Sequence, residues 1–199
     1  MLLKLKTKGV PFYPLRPFTA VGGESIPTFS KWIAQPKING WRVLYDPATG
    51  ECWNRYGQPF TGDCSPLAAW QDTGYFLDCE YLGRRTKAGA GSLVVLDAIA
   101  KGNDPDPFYV RQTRLAELPE VPMDDLPENV LMRITNHPHE KCPALFEEMK
   151  EVNKRRGEII WEGVVLKHPA STYDTQRRSP HEETRFWAKA KFEQRVLGL

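Results

Sequence analysis

Seven short runs rich in β-branched and aromatic residues, each bounded by turn chemistry, set the strongest limit on what this chain can fold into. Residues 41–46 (WRVLYD) and 51–55 (ECWNR) flank Pro47-Ala48-Thr49-Gly50 and predict a hairpin. The other strand candidates are 75–82 (YFLDCEYL), 93–99 (LVVLDAI), 130–135 (VLMRIT), 162–168 (EGVVLKH) and 185–192 (RFWAKAKF). Helical signals are fewer. Ser65-Pro66 and Asp106-Pro107 each offer a capping side chain followed by proline at the first helical position, and the second helix is expected to run to about Leu118. The clearest helix begins near Pro143, with Leu145, Met149 and Val152 on one face and Gly157 placed to end it. Five prolines between Lys101 and Asn129 mark a connector. The pattern predicts an α+β fold of antiparallel sheets with helices inserted between strands.

A chain of 199 residues, 41% apolar, can bury a core without disulfides. Collagen, coiled coil and wholesale disorder are excluded by composition, and no apolar run reaches the length of a membrane span. The start, MLLKLKTKGVPFYP, has three apolar residues before Lys4 and no apolar h-region, so no secretion signal is expected. Four cysteines without a CxxC read as reduced thiols, which predicts a cytoplasmic protein with no membrane partner. His137, His139 and Cys142 approach a zinc spacing, but two prolines and the lack of a fourth nearby ligand favour a solvated turn. Charge is uneven. Residues 1–42 carry seven Lys/Arg against one acid, 43–153 ten against eighteen, and 154–199 ten against six. Two basic ends around an acidic middle suit a polyanion partner, or a mixed surface with no such meaning.

Four patterns carry chemistry. Lys37-Ile38-Asn39-Gly40-Trp41-Arg42 places a lysine before a tight Asn-Gly turn, where glycine would let a ligand approach the backbone. Such a lysine is a nucleophile only once deprotonated, which nearby cations or desolvation favour; it is otherwise a surface residue. In 77–81 (LDCEY), alternation puts Asp78 and Glu80 on one face, able to bind a metal or a ribose hydroxyl or simply to meet water. In 162–167 (EGVVLK), Glu162 and Lys167 bracket an apolar strand and offer a metal-binding carboxylate and a phosphate-binding amine. Lys189 and Lys191 share a strand face about 7 Å apart, which suits a phosphate or an exposed edge strand.

In this order the four patterns resemble the covalent nucleotidyltransferases: ATP- and NAD-dependent DNA ligases, RNA ligases and mRNA capping guanylyltransferases. The likeness spans roughly residues 33 to 192 and is greatest to the adenylation domain of ATP-dependent DNA ligases. Ala34-Gln35-Pro36-Lys37 with Gly40-Trp41-Arg42 resembles their first motif, and Asn54-Arg55-Tyr56-Gly57 the motif that supplies a phosphate-binding arginine. Tyr173, Arg177-Arg178 and Phe186-Trp187-Ala188-Lys189 resemble the run that closes the domain. The resemblance implies a DNA ligase/mRNA capping enzyme-like, ATP-grasp-like nucleotidyltransferase domain over residues 1–199. It implies ATP as cofactor, AMP carried covalently on Lys37, and Mg2+ or Mn2+.

By the same resemblance, Gln35 would meet the adenine edge, Leu96 would lie on the base, and Glu80 would hold the ribose. Arg42, Arg55, Lys167, Lys189 and Lys191 would bind phosphates, and Glu162 the metal. The implied substrate is a nicked DNA duplex, with RNA as the alternative. Arg42 favours DNA, because RNA ligases generally lack an arginine at that place. The same motifs would also suit an mRNA capping guanylyltransferase, or a non-catalytic nucleic-acid-binding module that retains the fold. Asn39 stands where the family has aspartate, and Leu96 where it has an aromatic ring. Eight residues follow Lys191, so no OB-fold domain is expected in this chain, and a separate protein would supply that function.

Overall fold

The computed structural model describes residues 10–20, 31–83, 85–102, 104–176 and 179–192. Among these described residues, ten strands and two α-helices follow in the order β1 (Arg16–Thr19), β2 (Ile33–Ile38), β3 (Trp41–Asp46), β4 (Glu51–Asn54), β5 (Tyr75–Tyr81), β6 (Leu93–Ala100), α1 (Phe108–Thr113), β7 (Leu131–Arg133), β8 (His137–Pro138), α2 (Cys142–Arg156), β9 (Trp161–Lys167) and β10 (Glu183–Lys191). They form two five-stranded sheets, ordered β1-β10-β9-β2-β8 and β4-β3-β5-β6-β7. The first sheet joins the strands from the two basic ends of the chain and adds β8 at one edge. The second is built from its acidic middle.

The α+β class holds, with one correction: both sheets are mixed. Strand β1 runs parallel to β10, and β7 parallel to β6. Strand β1 carries Pro17 and lies at a sheet edge, where a residue without an N–H is tolerated. Strand β2 carries Pro36, but β8 pairs only with Ile33 and Ala34. Beyond them β2 has one partner, β9, so the missing donor has an open side to face. These prolines hide both strands from a reading of periodicity. The expected hairpin forms, with Asp46 opposite Glu51.

The early helices are shorter than expected. Residues 65–69 make a 3-10 turn whose cap is Cys64, while the Asp63 carboxylate accepts the Ser65 N–H. Pro107, not Asp106, caps α1, because the Asp106 carboxylate pairs with Arg114 at 2.5 Å. After Thr113 the chain continues to Leu118 in three-residue turns, which end at Pro119. Residues 137–142 are not a free turn. His137 and Pro138 form β8, 139–141 a 3-10 turn, and the buried Cys142 opens α2.

Helix α2 ends on Gly157 at φ 67°, and Leu145, Met149 and Val152 are buried against the back of the first sheet with Val164 and Leu166. Asn153 fixes how the helix hands over to β9. Its amide donates to the Trp161 carbonyl at 2.7 Å, and its Oδ1 accepts the N–H groups of Ile160 and Trp161. A second cluster backs the other sheet with Leu67, Leu77, Val95 and Leu115. The sheets meet through Leu44, Trp53, Ile99, Tyr173 and Trp187, all buried. Among the described residues, no helix is long and apolar enough to cross a membrane.

Candidate active site

The two sheets enclose a cleft of about 370 Å³, within the range of small-molecule sites. All ten residues expected at the site line it: Gln35, Lys37, Arg42, Arg55, Glu80, Leu96, Glu162, Lys167, Lys189 and Lys191. They come from β2, β3, β5, β6, β9 and β10 and from the loop after β4, so only the folded sheets bring them together. Arg16 and Arg85 join them, making eight basic side chains against two carboxylates in the lining. Such a cleft selects an anion of several charges. Arg177 and Arg178 of the expected closing run lie outside the described residues.

Lys37 is the last but one residue of β2, where the ladder to β9 shifts register between Lys37 and Ile38. Its Nζ lies 2.5 Å from Glu162 Oε2, and Lys191 Nζ lies 2.9 Å from the same oxygen. Burial pushes the Glu162 carboxyl up, but the two ammonium groups outweigh it and hold the carboxyl below its ordinary range. Glu80 faces the same group of charges. Burial dominates there and pushes its carboxyl up, with Lys37 and Arg42 offsetting only part.

Gly40 and Gly163 make this meeting possible. A Cβ on Gly40 would lie 2.5 Å from the Tyr81 carbonyl oxygen and 2.6 Å from Glu80 Cγ. The glycine after Lys37 thus makes room for Glu80, and it lines the cleft itself. Gly163, at φ 141°, would set a Cβ 2.1 Å from the Ala190 carbonyl oxygen, so it lets β10 and Lys191 close on β9. Asn39 suits its place: its amide donates to the Ile159 carbonyl at 2.9 Å, a bond an ionised aspartate cannot give.

Arg42 is less free than its motif suggests. Its Nε and one terminal nitrogen bond Asp78, which is fully buried and also accepts the Tyr173 hydroxyl at 2.6 Å. Burial opposes the guanidinium charge, but Asp78 outweighs it and holds Arg42 above its ordinary value. Asp78 and Tyr173 therefore position Arg42 toward the cleft. Reading 77–81 by alternation alone finds two equivalent carboxylates. In the fold one is an internal anchor and the other a cleft group. Tyr173 also accepts the Leu15 N–H at 3.0 Å, tying the first described segment to the site.

Lys167 is 2% exposed. Its Nζ lies 3.9 Å from the Trp187 ring centroid and 4.6 Å from that of Phe108, and it donates to the Leu96 carbonyl at 3.4 Å. Burial pushes it down to about 7. Lys189 is also held low, by burial first and then by Arg16, Lys191 and Lys37. Arg55 is exposed and rests over the Tyr56 ring at the rim. The expected divalent ion fits the donors present. Glu162 is a buried carboxylate that already holds two cations, and one or two carboxylates plus phosphate oxygens suffice for Mg2+. No cluster of three acidic, His or Cys ligands occurs among the described residues.

Two facing mixed sheets hold these side chains between them. Neither a protein-family model nor any curated protein matches the sequence. Solved structures do share the fold. The structure named Pmar-Lig superposes with a TM-score of 0.63 at 16% identity, over 92% of this chain and 47% of its own. Chlorella virus DNA ligase-adenylate gives 0.57 at 14%, over 92% and 68%. An archaeal ATP-dependent RNA ligase gives 0.54 at 17%, over 94% and 48%. The chain thus has the fold of ligase adenylation domains and spans about half to two thirds of the length of these relatives.

Proposed function

We propose that this chain is the catalytic domain of an ATP-dependent polynucleotide ligase that seals nicks in duplex DNA through a lysine-AMP intermediate. The observation that carries the reading is the convergence of Lys37 and Lys191 on one carboxylate oxygen of Glu162 inside a cleft of eight basic groups. In the first step Lys37 Nζ, having released its proton and the Glu162 contact, attacks the α-phosphorus of ATP. A P–N bond forms, the bond to the bridging β-phosphate oxygen breaks, and pyrophosphate leaves. In the second step an oxygen of the 5′-phosphate at the nick attacks the AMP phosphorus, a P–O–P bond forms, the P–N bond breaks and the Lys37 amine is released. The adjacent 3′-hydroxyl then displaces AMP and forms the phosphodiester.

Lys167, Lys189, Lys191 and the free face of Arg42 stabilise charge on the phosphates, and Arg55 meets them at the rim. Glu162, with Glu80 beside it, would hold Mg2+ or Mn2+, which supplies neutralisation of the triphosphate. Glu80, whose carboxyl burial pushes up, faces the cleft and can accept a ribose hydroxyl bond. Leu96 and Val165 line the cleft as apolar walls for a base.

The likeness to the archaeal enzyme keeps RNA as a second acceptor. Nick sealing decides between them. Labelled nicked duplexes with a DNA or an RNA 3′-hydroxyl strand should be joined by the wild type with ATP and not by Lys37→Ala, with the DNA strand joined faster. Preferential joining of RNA moves the chain to the RNA ligases. Binding of both duplexes without joining would leave the non-catalytic module as the account.

A further inference from the structure

Gln35 is held by a chain of three amides that starts at the main chain. The carbonyl of Leu96 can only accept, and Gln112 Nε2 donates to it at 3.2 Å. Gln112 must therefore turn its Oε1 away, and that oxygen accepts Asn136 Nδ2 at 3.1 Å. Asn136 in turn presents Oδ1, which accepts Gln35 Nε2 at 2.9 Å. The Gln35 amide nitrogen also points at Gln112 Oε1, at 3.4 Å. Each amide orientation follows from the one before, because reversing any of them sets donor against donor or acceptor against acceptor.

Only Gln35 of the three lines the cleft, and it is 2% exposed. With both amide hydrogens directed at Asn136 and Gln112, its Oε1 accepts no hydrogen bond among the described residues. That oxygen is the polar atom left for a ligand.

We propose that Gln112 and Asn136 are positioning residues for base selection: they lock Gln35 with its acceptor toward the nucleotide, so the cleft takes a purine with a 6-amino donor and rejects one with a 6-carbonyl. The proposal rests on the nucleotidyltransferase reading and adds the device that sets its choice of base. A 6-carbonyl would place two acceptors against each other at a side chain that is itself buried, and an unpaired buried polar group of that kind is strongly disfavoured. A freely rotating glutamine would turn its amide and accept either base. The relay prevents that turn.

The relay is read as the ratio of covalent adduct formed from ATP to that formed from inosine triphosphate, which differs at the 6-position without the 2-amino group of guanine. Wild type should favour ATP by at least about tenfold. Asn136→Leu, which removes the link beside Gln35, should bring the ratio to within about threefold by admitting the inosine nucleotide. Gln112→Leu cuts the relay at its main-chain end and should do the same, which covers the case in which one variant does not fold. Asn136→Asp keeps an acceptor toward Gln35 and should retain the preference. A general loss of packing would lower both nucleotides together and leave the ratio unmoved. An ATP adduct with an unchanged ratio in both leucine variants refutes the relay and leaves the ligase reading standing. No adduct in the wild type with either nucleotide overturns both.

Discussion

Replacing Lys167 by methionine should stabilise the protein while slowing its chemistry. The residue is 2% exposed, and burial lowers its ammonium from an ordinary 10.5 to about 7. Between those values the unfolded chain holds a proton that the native state lacks, so wild-type stability must rise with pH across that window and be lost as pH falls through it. The full span corresponds to about 5 kcal/mol, and about 3 kcal/mol applies at pH 8. The Trp187 and Phe108 rings oppose burial, since each favours the protonated form by about 1 kcal/mol or somewhat more and so limits this cost. The net gain expected for Lys167→Met at pH 8 is therefore about 1–3 kcal/mol, or roughly 2–10 °C in Tm for a domain of this size. Methionine fills the same channel between the rings without a charge.

The assay is denaturant unfolding of both proteins from pH 7 to 10. Every other titrating group is common to the two, so the difference between their stability curves isolates Lys167. It should shrink as pH rises. A methionine variant less stable than wild type, with a parallel pH profile, would refute the argument and make the buried ammonium a net support of the fold. On the proposed ligase reading, adenylation should fall at least tenfold in the same variant, because a side chain that can take up a proton beside a bound triphosphate is gone.

Other perturbations test separate parts of the site. Tyr173→Phe removes the donor to the buried Asp78 carboxylate and the acceptor of the Leu15 N–H, and should cost about 2–4 kcal/mol in denaturant unfolding; a change below about 1 kcal/mol would mean that water replaces both bonds. Gly163→Ala drives a Cβ into the Ala190 carbonyl and should cost about 2 kcal/mol or more, whereas Gly102→Ala, at φ 93° with nothing within 4 Å, should cost only about 1 kcal/mol of backbone strain. Equal effects of the two would show that the β9–β10 approach is not tight. Lys191→Ala leaves Glu162 to Lys37 alone and should slow adduct formation at least tenfold with little change in Tm.

Much of the fold is legible in residue order. The strand runs at 41–46, 51–55, 75–82 and 93–99 and the helix after Pro143 are written in local periodicity and turn chemistry, which survive folding. The ten cleft residues are found through motif order, because a site assembled from six strands leaves a trace in each of them. Partnerships are not legible. Whether Asp78 or Glu80 faces the cleft depends on Tyr173, 95 residues away. The tie of Arg42 to Asp78 and the relay through Gln112 and Asn136 likewise join distant segments. Strands β1 and β2 escape because proline argues locally against a strand, and only sheet topology shows that each has an open side for it. The basic excess of the first 42 residues hints at Arg16, but nothing local distinguishes it from its neighbours.

The central claim is that Lys37 is the nucleophile of a nucleotidyl transfer. The most direct test is the intact mass of the protein after incubation with ATP and magnesium, beside Lys37→Ala treated identically. The account predicts an AMP-sized increment on the wild type, located to the peptide containing Lys37 and absent from the variant. An unmodified wild type, or an increment that survives the loss of Lys37, would contradict it.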